Sequence, residues 1–262
     1  METDPPDRID GMRRTIQDDQ LVRDDTQRGI GLRALEAFIE APNNEPPSPE
    51  CLNALALAVR CSEFDVSVSG AELLRQLAGI HEVARDAIRG LVNEADENTR
   101  FSAICAASDK ALAAIGFTEE IMRVGLRDKS EKVRTHTAAE VFRLSLGCLA
   151  QDLLQASLFS IDDDEREWLE IYAGILMDGY KIAPAADWER EMFGLNNATC
   201  KVYVRVNDSD VIRGFVTPHD LEQQAAVSIS TQIAKNYYRQ QANLKADPCW
   251  VPRSQAERLL FP

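Results

Sequence analysis

Arg127–Phe142 reads RDKSEKVRTHTAAEVF. Asp128 stands in a polar turn and Ser130 is placed to cap the helix that follows. That helix carries Val133, Ala138, Val141 and Phe142 along one side. Three other Asp-containing turns open helices rich in small and apolar residues, at Asp65, Asp96 and Asp162. The four openings lie 31, 32 and 34 residues apart, the length of one helical hairpin. A fixed period of that size predicts hairpins that bury their apolar faces on one another.

The apolar spacing extends the pattern in both directions. It predicts helices over residues 32–41, 48–59, 65–78, 80–94, 97–108, 118–127, 130–146, 148–159 and 163–178. Ser48 caps the second, with Pro49 at its first position, and Thr118 is the expected cap of the sixth. Each segment is too short to be stable alone, so packing has to hold it. Residues 1–28 are charge-dense with few large apolar side chains, and are expected to be a mobile tail or a weakly docked helix.

After Gly179 the pattern changes. Residues 180–198 contain a short helix around Ala186–Phe193, and Val202, Val204 and Val206 then alternate with Lys201, Tyr203 and Arg205. With a turn at Asn207–Asp210 and a return over Val211–Thr217, this reads as a β-hairpin. A hairpin alone is marginal. Val202, Val204, Ile212 and Val216 are therefore expected to pack on the helical repeats or on the next helix, which runs from His219 to about Asn243. One more short helix is expected over Ser254–Phe261.

The segments RDKSEKVRTHTAAEVF and LFSIDDDEREWLEIYAGIL resemble HEAT-type repeats, in which a turn containing Asp precedes a helix beginning Val-Arg and followed by small residues. Asp128, Val133, Arg134, Ala138 and Ala139 match that pattern, and Asp96, Arg100 and Ala103 match it in part. Asp162 and Arg166 match weakly, and the Asp65 copy lacks the arginine. The resemblance covers about residues 32–178 and implies an α-solenoid. Joined to the hairpin that follows, the expected fold is mainly α, a HEAT-like α-solenoid over residues 29–179 with a small C-terminal α+β cap over 180–262. The resemblance implies no activity.

Composition narrows the function. The net charge of −14 disfavours nucleic acid as a partner, because phosphate binding needs a concentrated basic surface. The six cysteines form no CxxC pair, and the N-terminus METDPPDRIDG has no apolar leader, so a reduced, cytoplasmic protein without a membrane role is expected. His81, His136 and His219 lie far apart with no ligand-spaced partner, and no phosphate-binding loop or GxSxG is present. No cofactor, metal or catalytic residue is nominated, and no Cys–His arrangement stands out. Residues 162–191 hold ten acids and three bases, a net −7, interleaved with aromatics.

The expected function is a non-catalytic protein-interaction module: an adaptor, assembly factor or inhibitor whose acidic face grips a partner with a basic surface. The residues expected to make that contact are Asp162, Asp163, Asp164, Glu165, Trp168, Tyr172, Trp188 and Trp250. The alternatives are a lyase-like enzyme or small-ligand carrier with its site in the concave groove, and a structural subunit of a larger complex.

Overall fold

A computed structural model of the chain describes residues 6–17, 25–41, 45–217 and 226–246. These residues are mainly helical, with one three-stranded antiparallel sheet. They divide into two compact units, Met1–Glu140 and Val141–Pro262.

The first unit holds α1 (Pro6–Gln17), α2 (Asp25–Glu40), α3 (Pro49–Val59), α4 (Phe64–Ala78), α5 (Glu82–Leu91), α6 (Glu97–Ala107), α7 (Lys110–Ala114), α8 (Phe117–Gly125) and the start of α9 (Glu131–Arg143). Helices pack in sequence order, α2 on α3, α3 on α4 and α4 on α5, and also two along, α2 on α4, α4 on α6 and α6 on α8. Leu55, Val66, Leu73, Leu74, Ile88, Ile104, Ile121 and Met122 are buried between them. Each such side chain contributes about 1.5–3 kcal/mol of transfer free energy. Close approach needs small residues. A Cβ on Gly70 would lie 2.7 Å from Ala58 Cβ and 2.9 Å from the Val59 nitrogen, so only glycine lets α3 and α4 touch there. In the segment expected to be a tail, Ile16 of α1 is fully buried and its side chain closes over Gly31 of α2.

Helix starts follow capping chemistry. Ser48 accepts the Cys51 N–H at 3.1 Å, and Asp96 accepts the Thr99 N–H at 2.7 Å. Thr118, the expected cap of its helix, does not cap it. Its buried hydroxyl bonds the Ala107 and Asp109 carbonyls, and Gly116, at φ +78°, opens α8 instead. The short α7, capped by Asp109, has no counterpart in the sequence reading.

The second unit begins with the end of α9, followed by a 3-10 turn at Gly147–Leu149, α10 (Ala150–Phe159) and α11 (Asp163–Asp178). Gly179, at φ +82°, then turns the chain into β1 (Tyr180–Pro184). After α12 (Asp187–Phe193) come β2 (Cys200–Arg205), β3 (Val211–Val216) and a last helix, α13 (Ala226–Ala246). The expected hairpin is β2 and β3, paired Cys200↔Val216 to Arg205↔Val211. The expectation of a single hairpin needs correction: β1 pairs with β2 from Tyr180↔Val204 to Pro184↔Cys200 and makes the sheet three-stranded.

Both faces of the sheet are covered. Val202, Val204, Ile212 and Val216 pack with Ile229, Ile233 and Tyr237 of α13, so the next helix covers this face. On the other face Tyr203 joins Phe142, Ile171 and Ile175. The start of the expected helix at His219, the C-terminal helix at Ser254–Phe261 and Trp250 lie outside the described residues.

Candidate functional site

The turn between α10 and α11 places the acidic cluster expected from the sequence. Asp162 caps α11 by accepting the Glu165 N–H at 2.8 Å. Glu165 is buried, and its carboxylate accepts a bond from the Ser160 hydroxyl. Arg166 reaches back to the Ser160 carbonyl at 2.9 Å and pairs with Asp163 at 2.7 Å. The turn is therefore fastened from within by its own polar groups.

Its apolar side chains face outward. Leu158 is 80% exposed, Phe159 81% and Ile161 95%, directly before Asp162, Asp163 and Asp164. No other stretch of the described residues exposes large apolar side chains so fully. The sequence reading missed these three because a helix ending at residue 159 was expected to bury such side chains. The available signal was Phe159 and Ile161 flanking Ser160 at a helix end, where a packed repeat carries polar turn residues.

The aromatic residues expected to join the acidic cluster have several settings. Tyr172 stacks on Phe142 with centroids 4.6 Å apart and belongs to the core. Burial raises its hydroxyl above the ordinary tyrosine pKa. Trp168 lies against Tyr172 at 5.6 Å and is partly exposed on α11. Trp188 is exposed on α12 beside Met192, one helical turn further on. Asp163 and Asp164 are exposed, whereas Asp162 and Glu165 are engaged in the turn itself.

Part of the negative charge over residues 162–191 is paired within the second unit. The sheet face toward α11 carries Lys181, Lys201 and Arg213. Glu167 accepts bonds from Lys201 Nζ at 2.9 Å and from the Tyr203 hydroxyl at 2.8 Å. Burial works against the Glu167 charge, but those two bonds outweigh it and hold the carboxyl below the usual glutamate range. Burial likewise opposes the charge on Lys201, and its bonds to Tyr203 and Glu167 overcome it, so the ammonium is held charged more firmly than an exposed lysine.

Glu189, with a fully buried side chain, accepts the Ala186 N–H at 2.7 Å. It lies 3.3 Å from Lys201 Nζ. Arg213 Nη1 approaches Glu189 Oε1 to 2.7 Å off the hydrogen-bond axis, which makes the contact an ion pair rather than a hydrogen bond. Glu170 pairs with Lys181 at 3.5 Å and Asp187 with Arg190. Glu167, Glu170 and Glu189 hold the sheet to its helices, whereas Asp187 is paired within α12. Beside the apolar turn Asp164 and the Arg166-paired Asp163 face outward.

The first unit contains an open groove of about 570 Å³ between the α5–α6 and α8–α9 turns. Arg100 and Asp128 form its floor as a buried two-pronged ion pair, with Nε–Oδ2 at 2.6 Å and Nη2–Oδ1 at 2.9 Å. Arg100 also donates to the Glu94 and Ala95 carbonyls at 3.0 and 2.7 Å. Burial opposes the Asp128 charge, yet Arg100 and the Ser130 N–H prevail and the carboxyl titrates below the ordinary aspartate range. Arg123, Arg127 and Lys129 stand at the rim. No group of three or more metal-ligating side chains converges among the described residues. No helix among them is long and apolar enough to cross a membrane. No protein family's sequence profile matches this chain, and a search of curated proteins finds no match either.

Proposed function

We propose that this chain is a non-catalytic protein-interaction module and that the α10–α11 turn is its docking element. The exposure of Leu158, Phe159 and Ile161 at one internally fastened turn carries this reading. Covering such side chains with a partner returns about 1.5–3 kcal/mol each. A turn already held in shape loses little further entropy when it docks. The exposed Asp164 alongside, with Asp163 shared between Arg166 and solvent, favours a partner whose apolar cleft is rimmed by basic residues.

The repeat reading, a HEAT-like α-solenoid, belongs to the same proposal. In its support, helices of the first unit pack on neighbours one and two along. Three arginines also close their turns in the same way, each donating to the carbonyl six residues earlier: Arg100 to Glu94, Arg134 to Asp128 and Arg166 to Ser160. The small-ligand carrier remains the second reading. The groove beside Arg100 favours it, and the basic rim favours an anionic ligand.

The test is quantitative affinity capture from the native source with wild type and the Phe159→Ser/Ile161→Ser double variant. A partner that binds stoichiometrically, weakens with salt and drops at least about tenfold with the variant supports the proposal. Equal retention of every partner by both proteins overturns the turn as the docking element.

A further inference from the structure

Cys105 on α6 and His136 on α9 are distant in sequence, yet the fold sets Cys105 Sγ 3.2 Å from His136 Nε2. Both residues are half-buried rather than sealed in the core. Phe101, one turn before Cys105, stacks on the His136 ring with centroids 4.2 Å apart and fixes its plane. Lys132, one turn before His136, donates to Asn98 at 2.7 Å and lies 5.1 Å from the Phe101 ring centroid. Asn98, Phe101 and Cys105 thus form one row on α6, facing Lys132 and His136 on α9.

A thiol beside an imidazole at this distance is the arrangement that makes a cysteine nucleophilic. Only a few per cent of an ordinary cysteine is thiolate at neutral pH, and a neighbouring base that takes the proton raises that fraction. The other cysteines differ. Cys51 and Cys61 are buried, with Cys51 bonded to the Ala37 carbonyl and Cys61 to Gln27. Burial also raises the Cys51 thiol above its ordinary pKa. Cys148 is exposed on the 3-10 turn of the second unit and Cys200 begins β2. The pair at Cys105 is the one built for reactivity among the described residues.

We infer that Cys105 is a thiol–disulfide exchange site, activated by His136, that takes small-molecule disulfides such as oxidised glutathione. His136 Nε2 accepts the thiol proton, and the thiolate attacks one sulfur of the disulfide. A new S–S bond forms to Cys105 as the old one breaks, and the departing thiolate takes the proton back from the imidazolium. The balance is one protein thiol and one disulfide giving one mixed disulfide and one small thiol. His136 acts here as a positioning and activating residue, and nothing in the step depends on the α10–α11 turn.

The test uses the full, reduced protein at neutral pH with peptide-resolved mass spectrometry, so that each cysteine is followed separately. Iodoacetamide is expected to label Cys105 at least about tenfold faster than the more exposed Cys148, and His136→Asn to cut the Cys105 rate by about tenfold while the Cys148 rate stays unchanged. Oxidised glutathione is expected to add first at Cys105. If His136→Asn does not fold, Cys105→Ser decides the matter: the fast phase of reaction with an aromatic disulfide must disappear. A Cys105 rate equal to or below that of Cys148, no change with His136→Asn, a fast phase that survives Cys105→Ser, or glutathione added first elsewhere each overturns the assignment.

Discussion

The turns at Asp128 and Asp162 begin from similar residues and are used in opposite ways. At Asp128 the carboxylate is 6% exposed and receives the guanidinium of Arg100, 28 residues earlier, so the turn is tied to a neighbouring helix. At Asp162 the carboxylate caps its own helix, the nearby Asp163 is paired within the same turn, and the preceding side chains point to solvent. A local signature therefore specifies where a helix begins. Whether that turn becomes cement or a contact surface depends on what residues of other helices bring to it.

Several changes would break or sharpen this contrast. The largest effect is expected for Arg100→Ala, which strands a buried carboxylate and two backbone carbonyls. A loss of about 3–5 kcal/mol in urea unfolding is expected, and a loss under about 1 kcal/mol would mean that Asp128 is not cemented as described. Acid gives the second test. The folded pKa of Asp128 lies below its unfolded value, so its contribution is complete above the ordinary aspartate pKa near 3.9 and disappears as pH falls through the folded value. Stability measured from about pH 5 down to pH 2 should fall more steeply in wild type than in Arg100→Met. Equal slopes would remove the ion pair as the cause.

Asp162→Ala should cost about 1 kcal/mol, the ordinary loss of a helix cap, and a change near that of Arg100→Ala would erase the contrast. The smallest effect is expected for Phe159→Ser, within about 0.5 kcal/mol of wild type by thermal unfolding, because its side chain leaves no packed neighbours behind. A large destabilisation there would show that the turn is covered in the free protein.

The parts of the fold legible in the sequence are those with a local cause. Periodic apolar spacing located α3–α6 and α8–α11, and alternation located β2 and β3. The strand β1 has no such cause: YKIAP is five residues long and is a strand only because β2, about twenty residues later, pairs with it. Thr118 looked like a cap from its place before Glu120 and an apolar run, but its hydroxyl partners, the Ala107 and Asp109 carbonyls, lie before its helix and are brought to it by packing. The acidic stretch was legible as charge but not as a surface, because Lys181, Lys201 and Arg213 pair with Glu170, Glu167 and Glu189 from strands whose pairing the spacing does not give. The Cys105–His136 contact was hidden for the same reason, being set by packing between helices.

Among the described residues, the strand order β1-β2-β3 makes β1 and β3 the outer strands of the sheet. An outer strand is a template on which another chain can add, the first step of self-association at high concentration. Here the strands are five and six residues long, Pro184 has no N–H to donate, and Lys181 and Arg213 interrupt the apolar pattern. Such features keep foreign strands off a sheet edge. Protection against edge-to-edge association is therefore concentrated in a few residues at the sheet margins.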